Sequence, residues 1–157
     1  MSLPHRFRSF AWAGLLAITT AVSASATDGR VLKVLPHLLD LRGRHALAPS
    51  LFQRDAYQAY LRRHPDEVTA IRYDVHWQSR GVSGKNLRLR LALRTANRAA
   101  NDPLLLETAV HPGWLGRAWS SLRMDPDTYK TAGKVLAWQV TLLDGDTTLG
   151  MQKSFLW

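Results

Sequence analysis

Ile71-Arg72-Tyr73-Asp74-Val75-His76-Trp77-Gln78 alternates apolar with polar side chains, and Leu87-Arg88-Leu89-Arg90-Leu91-Ala92-Leu93-Arg94 follows the same pattern. Successive side chains of a β-strand point to opposite faces, so this alternation turns one set into a core and leaves the other in water. The short loop between them carries Gly81 and Gly84, which predicts an antiparallel hairpin. With Gln78 opposite Arg88, Arg90 faces His76, Ala92 faces Asp74 and Arg94 faces Arg72. On this register Asp74 is the one acid among several cations.

The flanking sequence continues the pattern. Residues 31–40 read as a strand, with Pro36 suited to an edge position or a bulge. Leu41-Arg42-Gly43-Arg44 reads as a turn. A helix is expected over 50–64, with Ser50 as N-cap and with Phe52, Ala56, Tyr57, Tyr60 and Leu61 as its apolar stripe. His64-Pro65 ends it, because a residue before proline avoids helical backbone. Further strands are expected over 104–110, 118–124, 135–143 and 147–156. His111-Pro112-Gly113 and Asp125-Pro126-Asp127 punctuate them as breaks, and Asp144-Gly145 is a strong hairpin turn. Leu136, Trp138, Val140 and Leu142 share one side of their strand, and Trp77 and Trp138 are expected in the core.

Seven short strands separated by turns imply a mostly β fold, a two-sheet antiparallel sandwich with one inserted helix. The ending Ala137-Trp138-Gln139-Val140-Thr141-Leu142-Leu143-Asp144-Gly145, with Leu149 and Ser154-Phe155-Leu156-Trp157, resembles the last hairpin of an immunoglobulin-like or fibronectin-III-like domain. The chain departs from that pattern in having no cysteine pair and in carrying the helix. The competing architecture is an α+β domain with the helix packed on one sheet.

The N-terminal 26 residues read as an export signal. Arg6 and Arg8 form a basic start, Phe10 to Val22 an apolar run, and Ala24-Ser25-Ala26 a small-residue cleavage site. The run is 13 residues, short of the roughly 20 that span a bilayer, though the same segment left uncleaved would act as an anchor. Removing 26 of the 157 residues leaves 131 for one sandwich domain, residues 27–157. The two arginines lost with the signal take the net charge from +9 to +7. A basic exported domain attracts anionic polysaccharide, lipid head groups or an acidic envelope protein; nucleic acid is not the expected partner.

No pattern for catalysis stands out. The histidines at 37, 45, 64, 76 and 111 lack zinc-ligand spacing, so no metal or other cofactor is expected. Gly81-Val82-Ser83-Gly84 lacks the spacing of a nucleophile elbow. The aspartate pairs at 125/127 and 144/146 sit at turns, where aspartate is favoured on its own account. The binding residues expected are Arg72, His76, Arg88, Arg90 and Arg94 on one basic sheet face, with Trp114 and Trp119 as an aromatic surface. The expected function is a non-enzymatic exported module that recognises an anionic polymer or envelope partner. The alternatives are a hydrolase of envelope polysaccharide and an assembly module that pairs through a sheet edge.

Overall fold

The computed structural model describes residues 28–81 and 86–157. The export segment and Gly84 lie outside them. Seven antiparallel strands form two sheets: β1 (Asp28–Asp40), β2 (Val68–Arg80) and β5 (Arg117–Met124) in the order β1-β2-β5, and β3 (Leu87–Thr95), β4 (Leu104–Ala109), β6 (Val135–Asp144) and β7 (Thr147–Lys153) in the order β4-β3-β6-β7. Helix α1 (Leu51–Arg63) lies between β1 and β2, and α2 (Pro126–Ala132) between β5 and β6. The mostly β sandwich with a helix inserted after the first strand is therefore present, and Pro36 falls on an edge strand.

The two alternating segments are strands, but they do not pair. β2 lies between β1 and β5, and β3 between β4 and β6. The expected hairpin and its register are thereby corrected: Arg72 faces His37 and Arg123, and Arg90 faces Glu107 and Thr141. The physical reason is that alternation specifies one buried face per strand and nothing about the neighbour. Ile71, Tyr73, Val75 and Trp77 bury their face against Leu87, Leu89, Leu91 and Leu93 across the sandwich rather than side by side within one sheet. Trp77 is fully buried, and its indole N–H donates to Ser120 Oγ at 2.9 Å.

Other corrections are local. Leu136 is exposed because a bulge in β6 opposite Arg94 and Thr95 takes it out of the ladder. Trp138 is only partly buried, with its ring edge-on to Tyr73. In α1 the buried residues are Gln58 and Leu61, while Phe52 at the head of the expected stripe is 82% exposed. The Gln58 amide donates to Leu38 O and His45 O and accepts from Leu38 N, so α1 is docked on the edge of β1 and does not form a helical layer on a sheet face. Asp125-Pro126-Asp127 opens α2 instead of a simple turn: Asp125 accepts from Thr128 N as N-cap and Pro126 stands in the first turn. The last strand stops at Lys153, short of residue 156.

Candidate functional site

The outward side of the β1-β2-β5 sheet is a grid that the register fixes row by row. From one end to the other the rows are His37–Arg72–Arg123, Leu35–Asp74–Ser121, Lys33–His76–Trp119 and Arg30–Gln78–Arg117, with Arg80 beyond them. Rows two residues apart on twisted strands make this a strip about 20 Å long. It carries Arg30, Lys33, Arg72, Arg80, Arg117 and Arg123 against Asp74 at its centre and Asp28 at its end. Among the described residues Lys33, Arg80, Arg117 and Arg123 have no carboxylate partner.

Asp74 organises the middle of the strip. Its Oδ2 accepts from Arg72 Nη2 at 2.9 Å and lies 3.3 Å from His37 Nε2, and its Oδ1 accepts from Ser121 Oγ at 2.5 Å. Arg72 and Arg123 stand directly opposite each other, a repulsive pairing that a single diagonal carboxylate offsets only in part. The Nε of Arg72 is buried with no acceptor. His37 is buried and sits 5.0 Å, ring to ring, from His45. Burial lowers the pKa of His37, against the opposing pull of Asp74, and burial likewise lowers that of His45. Burial thus disfavours the charged form of both imidazoles, and the fixed positive charge of the strip is that of its arginines and lysine.

Two rows along, the Trp119 ring stacks on His76 at 4.8 Å with the planes 8° apart, and more than half of the tryptophan is open to solvent. Arg117 Nε donates to Gln78 Oε1 at 3.2 Å, which holds the guanidinium along the sheet.

Of the residues expected from the sequence, the structure brings Arg72, His76 and Trp119 onto this strip. Arg88, Arg90 and Arg94 lie on the outward face of the other sheet, so the single basic face does not assemble as expected. There Arg88 bonds to Gly145 O and reaches Glu107 and Asp146, Arg90 pairs with Glu107, and Arg94 lies 4.5 Å over the Trp157 ring. Trp114 is in a loop and does not stack on Trp119, whose partner is His76. Lys33, His37, Arg117, Ser121 and Arg123 were missed. The signal for β5 was present: Arg117, Trp119, Ser121 and Arg123 alternate with Ala118, Ser120, Leu122 and Met124.

His37, Asp74 and Ser121 bring together the three residue types of a catalytic triad, but in the wrong order. The serine donates to the aspartate, and its hydroxyl is not hydrogen-bonded to the imidazole that would have to take its proton. The group lies on an open sheet face, with the serine exposed. Among the described residues no three His, Asp or Glu side chains converge as metal ligands, and no helix is long and apolar enough to cross a membrane. Comparison of the chain with protein-family models, curated proteins and solved structures finds no match.

Proposed function

We propose that this protein is an exported, non-enzymatic binding module whose β1-β2-β5 sheet takes an anionic surface of the cell envelope along its basic strip. The observation that carries the reading is the charge imbalance of the strip, with cations in its first, third and fourth rows and one carboxylate at the centre. Repeated phosphate or carboxylate groups match such a row, since arginine presents a planar fork to either. Trp119 supplies a flat apolar surface beside the cations. The Asp74–Ser121 bond favours binding over hydrolysis, because it ties the hydroxyl to a weakly basic carboxylate and not to the imidazole that would activate it. The order β1-β2-β5 and β4-β3-β6-β7 supports the likeness to an immunoglobulin-like or fibronectin-III-like sandwich, a fold whose faces and loops serve binding.

The test compares two sets of charge removals on an anionic polysaccharide column. Lys33, Arg117 and Arg123 are exposed and have no carboxylate partner among the described residues, so K33Q/R117Q/R123Q is expected to fold and to elute at clearly lower salt than the parent. Arg88→Gln/Arg90→Gln on the other sheet removes charges already matched by Glu107 and Asp146, and is expected to elute close to the parent. The reverse pattern would move the binding face to the other sheet, and no shift in either would end the reading.

A further inference from the structure

The connection from β4 to β5 ends in a short turn, Trp114–Gly116, whose apolar residues face water. Trp114 is 91% exposed and Leu115 73%. The turn is closed by Gly116 N donating to Gly113 O at 3.0 Å. Both glycines are required: a Cβ on Gly113 would run into the Arg117 carbonyl, and one on Gly116, where φ is +72°, into the Ser79 carbonyl. Leu115 itself has φ 58°, the one positive value at a non-glycine among the described residues. A leucine in that conformation is unfavourable by itself and persists only where its surroundings impose it. The fold thus clamps a backbone turn against β2 and presents two large apolar side chains that stand open to solvent among the described residues.

The surroundings of the tip are basic. Arg117 follows it directly, and Ser79, against which Gly116 rests, precedes Arg80. Both arginines are exposed and without carboxylate partners among the described residues. Of the acids at this end, Asp28 lies 3.8 Å from Arg30 and Asp146 3.4 Å from Arg88, while Asp144 has no ion-pair partner among the described residues. Arg117 also belongs to the fourth row of the basic strip. Asp28 lies at the same end, paired with Arg80.

We propose that Trp114 and Leu115 insert into the interfacial zone of an anionic lipid bilayer, while Arg80 and Arg117 rest on head-group phosphates. This rests on the basic-strip reading for its choice of an anionic surface and adds the apolar half of the contact. Tryptophan suits the head-group boundary because its ring is apolar and its N–H can stay hydrated. Stable membrane attachment generally needs two weak signals, and an apolar tip with Arg117 next to it in the chain and Arg80 next to the strand residue it rests on supplies both. A saccharide site would pair the ring with hydrogen-bonding side chains around a recess. Here its neighbour is a leucine on a projecting turn.

The test uses the full chain with vesicles of phosphatidylglycerol and phosphatidylcholine, and again with brominated acyl chains. Trp114→Phe keeps the apolar tip and removes one fluorophore, so the parent is expected to lose more emission to the brominated lipid than this variant does. The excess should vanish on pure phosphatidylcholine. Trp114→Ala/Leu115→Ala is expected to weaken vesicle binding about a hundredfold or more, as for loss of two buried apolar side chains, with an unchanged melting temperature and unchanged retention on the polysaccharide column. If Trp114 on vesicles stays open to aqueous iodide and is not quenched by brominated lipid, the insertion is refuted. Loss of polysaccharide retention in the alanine pair would overturn it too, in favour of ring stacking on sugar. The strip reading fails separately, through K33Q/R117Q/R123Q on the column.

Discussion

Single side chains hold this sandwich together where the sheet pattern alone would leave polar groups stranded. Trp77 is the largest buried residue, and Ser120 from the neighbouring strand satisfies its indole N–H in the middle of the core. Trp77→Ala is expected to cost about 3–5 kcal/mol in a urea melt, and Ser120→Ala about 1–2 kcal/mol, because the indole would stay buried without an acceptor. Trp138, partly buried against the core, should cost less than Trp77 when truncated. Asp40 plays the same part at the end of β1. Burial works to raise its pKa, but the backbone N–H groups of Arg44 and Arg42, the Tyr57 hydroxyl and the Arg44 guanidinium together hold it at about 2. An unfolded aspartate titrates near ~3.9. The stabilisation from Asp40 is therefore complete above that value and is lost as pH falls from about 4 towards 2. Asp40→Asn should flatten the pH dependence of the melting temperature in that window, and an unchanged slope would show that other carboxylates carry it.

At the scale of elements, the helix α1 protects an open edge. Strand β1 borders its sheet, and the side of Leu38 that faces away from β2 would expose an N–H and a C=O to pairing with another chain. The Gln58 amide meets both, at 2.8 and 2.9 Å, as a neighbouring strand would, and also bonds His45 O at 2.8 Å. Gln58→Ala is expected to destabilise the fold by on the order of 2 kcal/mol and to open residues 41–50 to proteolysis. Protection equal to the parent's would place the anchor of α1 in Leu61 instead. The apolar positions of α1 were readable, but which of them meet the strand was not: Phe52 and Leu61 score alike as apolar, and only the docking angle buries one and leaves the other 82% exposed.

For the whole molecule, the decisive arrangement is how strands with similar faces are distributed between two sheets. All seven strands, the inserted helix, the Asp144-Gly145 turn and the edge position of β1 were legible in the sequence. Each is written in local chemistry: alternation, a proline, a glycine at φ 56°, a capping position. So was the outward polar face of β2, with Arg72, Asp74, His76, Gln78 and Arg80 on one side. The partners of that face were not legible. A strand with one apolar face is equally satisfied beside a second such strand or across the core from it. Burial, the main driving force, is nearly the same either way, and register depends on connections and side-chain volumes that act at a distance. Tertiary structure therefore decided that Arg72 meets His37 and Arg123 while Arg88 and Arg90 meet Glu107, and so which basic side chains stand together with unmatched charge. It also decided that Trp114 and Leu115 project from a clamped turn, because the carbonyl of Ser79 that pins the turn lies far away in sequence.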